Sequence, residues 1–128
     1  NLEVPVPTPK IAKGKSTSNY SEDNGELNVI AGESFNLILF DDESQMNTVL
    51  NQIKNHPFYK VEIVTQTDST LLYRYYIENN PKEEWQIYAE RSIGSPKLIV
   101  KSNKDGHFTE FYARKMLESA RNIKRLSK

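Results

Sequence analysis

Between Tyr59 and Val100, apolar residues return at every second position in four runs set apart by turn residues. Tyr59, Val61 and Ile63 alternate with Lys60 and Glu62. Leu71, Tyr73, Tyr75 and Ile77 alternate with Leu72, Arg74 and Tyr76, and Trp85, Ile87 and Ala89 with Gln86, Tyr88 and Glu90. Leu98 and Val100 face one way in the last run. A period of two belongs to a β-strand, whose successive side chains leave opposite faces. Thr67-Asp68-Ser69, Asn79-Asn80-Pro81 and Gly94-Ser95-Pro96 divide the runs with residues that favour turns. Connections this short join antiparallel neighbours, so the four runs predict a meander.

Two further strands precede the meander. Leu27 to Ile30 is short and ends at Gly32-Glu33. Ser34 to Phe40 holds Phe35, Leu37, Ile38, Leu39 and Phe40, a run apolar on both faces that predicts a central strand covered on both sides. Met46, Val49, Leu50 and Ile53 then recur at the spacing of one helical face. Asp42 with Gln45 three residues on has the pattern of a capping box, and Pro57 disfavours helical geometry at His56, ending the helix near Asn55. A second helix is expected over 107–126, opened by Lys104-Asp105-Gly106. Its apolar face holds Phe108, Phe111, Tyr112, Met116, Leu117, Ala120 and Ile123, and Arg114, Arg121, Arg125 and Lys128 lie opposite.

The order β-β-α-β-β-β-β-α predicts an α+β two-layer sandwich, an antiparallel meander sheet with both helices packed on one face. Residues 27–128 are expected to form this single domain, since 128 residues is an ordinary length for one. Residues 1–26 read as a flexible, disordered arm or linker. Pro5, Pro7 and Pro9 fix φ and remove backbone donors, which favours an extended polyproline-type chain, and Lys13 to Glu26 is polar. One short edge strand near Ile11 is the single element expected there.

Several function classes lose support. The chain has no Cys, which excludes disulfides, thiolate metal sites and a thiol nucleophile. The five glycines are dispersed at 14, 25, 32, 94 and 106, so no phosphate-cradling loop is present and no cofactor is expected. No G-x-S-x-G elbow occurs. His56, before Pro57, and His107, near a helix start, read as loop residues. Asp41-Asp42-Glu43 suits a helix start, and consecutive side chains diverge too widely to hold a metal. Nothing selects a catalytic or metal-ligating residue, and a small hydrolase with scattered carboxylates stands third among the functional readings.

No run of about 18 apolar residues exists, so no membrane span is expected. A chain beginning at Asn1 without Met, followed by a Pro-rich segment, is expected to come from an exported or membrane-anchored bacterial protein, with the cytoplasm as the alternative.

Net charge is zero, but residues 91–128 carry ten Lys or Arg against Asp105, Glu110 and Glu118. The sheet face away from the helices is expected to present Lys60, Leu72, Arg74, Tyr76, Gln86, Tyr88, Ile99 and Lys101 as a candidate binding face. Its apolar and aromatic content exceeds what a solvated face requires, and Tyr and Arg are enriched at interface centres. The leading expectation is a non-catalytic protein-interaction or assembly module, binding a protein partner or a second copy through that face. Aromatic residues beside cations also suit single-stranded nucleic acid, which is the alternative.

Overall fold

The computed structural model describes residues 2–3, 16–21, 26–31, 35–93, 97–104 and 106–125. Its strands are β1 (Leu2–Glu3), β2 (Ser16–Ser21), β3 (Glu26–Ala31), β4 (Asn36–Asp42), β5 (Lys60–Gln66), β6 (Thr70–Tyr76), β7 (Glu83–Arg91), β8 (Lys97–Ser102) and β9 (Lys124–Arg125). The helices are α1 (Met46–Lys54), between β4 and β5, and α2 (Glu110–Arg121), between β8 and β9. The class is α+β. Strands β2 to β8 form one seven-stranded antiparallel sheet in the order β2-β3-β4-β8-β7-β6-β5.

The meander β5-β6-β7-β8 is the one the alternating runs predict, and β4 closes against β8 with Leu39 opposite Val100. Two of its turns are hydrogen-bonded: the Thr67 N–H donates to the Thr70 carbonyl at 2.9 Å, and the Asn80 N–H to the Ile77 carbonyl at 3.0 Å. Asn79 takes a positive φ of 65°, a conformation Asn tolerates better than most side chains. At the outer edge the register of β5 against β6 shifts between Ile63 and Thr65, leaving Val64 unpaired as a bulge.

The helices divide the two faces of the sheet between them instead of sharing one. In β7, Trp85, Ile87 and Ala89 pack with Leu72, Leu98 and Val100 beneath Ala113, Met116, Leu117 and Ala120 of α2. The intervening Tyr88 packs with Leu71, Tyr73 and Ile99 beneath Ile53 of α1. Pairing fixes this division, because Leu72 stands opposite Ile87 and Leu71 opposite Tyr88. The expected grouping of Leu71, Tyr73 and Tyr75 with Trp85 and Ile87 is therefore one residue out of phase. Leu71, Leu72 and Tyr73 are all buried, so the pattern of β6 did not choose a side. Each fully buried Leu, Ile or Phe is worth roughly 1.5–3 kcal/mol, so both layers contribute substantially.

Both helices are shorter than expected. Helix α2 begins only after Thr109, which keeps extended backbone (φ −85°, ψ 167°), and Phe111 points outward at 55% exposure. Asp42 does not cap α1. It accepts the Glu43 N–H and the Gln45 side-chain amide, while the N-cap position belongs to Gln45.

Two stretches of the expected arm are strands. Leu2–Glu3 pairs antiparallel with Lys124–Arg125, and Ser16–Ser21 forms the edge of the main sheet beside β3. The sequence STSNYS has no apolar alternation, so its pairing rests on the backbone ladder and left no periodic signal. The remainder of the arm, Ile11 included, lies outside the described residues.

Candidate functional site: the cleft beneath the first helix

The structure separates the eight residues expected on one open face into two sets. Lys60, Leu72, Arg74 and Tyr76 lie on the α2 side of the sheet. Leu72 is fully buried there. Lys60 pairs with Glu78 at 2.5 Å, and Arg74 donates from Nε to Glu62 at 2.7 Å and from Nη1 to Glu83. The guanidinium also stacks 4.7 Å from the centre of the Tyr76 ring. Hydrogen bonds donated to these acids hold the Lys60 and Arg74 pKa values above their ordinary ones, Glu78 first for Lys60 and Glu62 first for Arg74. Both cations are already partnered.

Gln86, Tyr88, Ile99 and Lys101 lie on the α1 side. Ile99 and Tyr88 are buried, and Lys101 is half-buried with its ammonium 5.3 Å from the centre of the Phe40 ring. A nine-residue helix is about 13 Å long, whereas seven strands span about 29 Å, so α1 roofs only part of this face. Under its edge a cleft of about 230 Å³ remains. Gln45, Val49, Gln52 and Ile53 overhang it from the helix, at spacings that put them on one side. Tyr73, Tyr75, Gln86 and Tyr88 supply the sheet wall, and Glu84, Lys101 and Lys104 stand at its margin. Three of the eight expected residues, Gln86, Tyr88 and Lys101, thus meet at one site.

The amide of Gln86 is 4% exposed. Its oxygen accepts from the Ser102 hydroxyl, and that hydroxyl also accepts the Ile87 N–H at 2.9 Å. Its nitrogen donates only a 3.4 Å bond to the Asn103 carbonyl, leaving donor capacity on a side chain that lines the cleft. Burial pushes the Tyr73 phenol far above its ordinary value, reinforced by Tyr75. Burial raises Tyr88 as well, and the adjoining Glu90 carboxylate adds to the shift. The two groups are neutral phenols at physiological pH and serve as wall and donor.

From Tyr75 an aromatic ridge leads outward. The His56 ring stands 5.1 Å from those of Tyr75 and Tyr59 and 6.4 Å from that of Phe58. Its Nδ1 accepts the N–H groups of Phe58 and Tyr59, both at 3.2 Å, so the ring braces the turn after α1. Phe58 is 82% exposed, and Tyr59 and Ile77 are also exposed. His107 pairs with Glu84 at 2.5 Å and is largely solvated. Among the described residues, no group of three or more His, Asp or Glu is placed to hold a metal ion. None of their helices is long and apolar enough to cross a membrane.

Sequence reasoning missed His56, Phe58, Gln45 and Gln52. Phe58 follows Pro57 outside any periodic run, so nothing in the pattern marked it as exposed. Comparison with family models, curated proteins and solved structures finds no match to the chain.

Proposed function

We propose that this domain is a non-catalytic protein-interaction module whose contact surface is the aromatic ridge of His56, Phe58, Tyr59 and Tyr75. The observation that carries the reading is the exposure of Phe58 at the end of a run of edge-on and tilted rings that continues into the half-open cleft. Interface energy concentrates in aromatic anchors surrounded by polar residues, and the ridge has that composition. The residues first expected to do this work are divided between the α2 side, where ion pairs hold them, and the α1 side, where the helix roofs them, so the ridge takes their place.

The test is photo-crosslinking in cells from p-benzoylphenylalanine placed at position 58, with position 111 as the control, since Phe111 is also exposed but lies on α2. The reading expects an adduct of discrete mass from position 58, absent from position 111 and lost on Tyr59→Ala. Equal adducts from both positions, or none from position 58, would overturn it.

A further inference from the structure

We propose that the cleft beneath α1 binds a small carboxylate-bearing molecule with a flat apolar body, about the size of benzoate. Apart from Tyr75, which borders both, the cleft is lined by residues outside the exposed ridge, and the inference stands without the protein-interaction reading.

Size sets the first limit. A cavity of about 150 Å³ accepts a benzene ring. The cleft, at about 230 Å³, holds a ring with one compact substituent and little more.

Val49 and Ile53 from the helix and Tyr73 from the sheet give part of the lining an apolar and aromatic character, suited to the face of a ring. Lys101 and Lys104 add two cationic side chains to the lining. Lys101 rests against the Phe40 ring instead of a carboxylate. Glu84, the single acid among the described lining residues, is paired with His107. The described lining residues thus carry two ammonium groups against one carboxylate.

Gln86 supplies an independent indication. Buried amide groups are nearly always hydrogen-bonded, yet the Gln86 nitrogen has only the long contact to Asn103. A carboxylate in the cleft would accept from that nitrogen and from Lys101 together. A neutral apolar ligand would leave the donor unmet, and a cation would face two ammonium groups.

The test titrates the full chain with sodium benzoate, benzamide and benzylamine, followed by ¹H–¹⁵N correlation NMR. Benzoate is expected to give saturable shifts centred on the Gln86 side-chain amide and the backbones of Tyr73 and Lys101. Benzamide should bind at least about tenfold more weakly, and benzylamine should not bind. Lys101→Gln should weaken benzoate by about fivefold or more while the spectrum stays dispersed. Lys104 is exposed, so Lys104→Gln gives the same reading should Lys101→Gln disturb the fold, and Lys124→Gln should change nothing. Equal affinity for benzoate and benzamide, or shifts that never saturate or cluster away from Gln86, would overturn the proposal.

Discussion

The Ser44 hydroxyl, just before α1, lies within hydrogen-bonding distance of both carboxylate oxygens of Glu90 in β7, at 2.8 and 2.9 Å and 46 positions apart in sequence. The same carboxylate accepts the Gln45 N–H at 2.8 Å and the Tyr88 hydroxyl at 2.6 Å. A strand residue therefore does the work of a local helix cap, satisfying a free N–H and placing negative charge at the positive end of α1. It fixes the helix over the cleft.

Replacing Glu90 by Ala should cost on the order of 2–3 kcal/mol in urea denaturation, because the Tyr88 hydroxyl and the α1 terminus both lose a buried acceptor. Glu90→Gln keeps shape and one acceptor and should cost less. A loss below about 0.5 kcal/mol for Glu90→Ala would mean that α1 is held by its apolar face alone.

The same residue sets an acid dependence. Burial favours the protonated acid, but hydrogen bonds from Tyr88, Ser44 and the Gln45 N–H, together with Lys97, outweigh it and hold the folded pKa below the ordinary 4.5. A depressed folded pKa means that the unfolded chain binds the proton more readily. The stabilisation is therefore complete above the unfolded value and drains away as pH falls through the lower folded one. Wild type and Glu90→Gln should differ in stability at pH 7, and that difference should shrink as denaturation is repeated below about pH 4.3.

Trp85→Ala should cost about 3–5 kcal/mol, since the indole is buried between sheet and α2. Ile53 lies in the other apolar layer. Ile53→Val should cost about 0.5–1.5 kcal/mol, and the double variant should show the sum within about 0.5 kcal/mol. A larger coupling would mean that the two layers are not independent.

Gly106→Ala should destabilise the domain by about 1–3 kcal/mol, because an added Cβ would collide with the buried Phe108 ring. Thermal melts of Gly106→Ala alone and combined with Phe108→Leu check this. The smaller side chain should recover part of the loss.

Oligonucleotides, single- or double-stranded, should bind no more tightly than about 100 μM at physiological salt. Lys60 and Arg74, the cations nearest Tyr76, already have carboxylate partners, and Arg114 pairs with Glu110 at 2.8 Å, so these three are poorly placed to displace counterions. Fluorescence anisotropy across a salt series checks this, and submicromolar binding lost on Tyr76→Ala would favour the nucleic-acid reading.

The meander, the two helices and their order were legible because strand and helix periods imprint directly on the sequence around Tyr73 and Met46. The side taken by each strand was not. Leu71 and Leu72 are both fully buried, and only their pairing with Tyr88 and Ile87 decides which helix each one meets. That ambiguity placed Tyr88 and Ile99 on an open face when they lie under α1. The cleft was harder still to read, since it depends on where a short helix stops above a broad sheet. Gln86 and Lys101 reached it by register, and Gln45 and Gln52 by the roofing helix.

The bulge at Val64 interrupts the ladder of β5, an edge strand of the sheet, and Lys60 carries charge at its start. An incoming strand would have to match a row of donors and acceptors that breaks midway, at a point where the backbone also twists away. The edge is thus a poor template for fibril growth or for strand exchange between copies. A contact made on this side of the domain would therefore rest on exposed side chains such as Phe58 and Tyr59 and not on extension of the sheet.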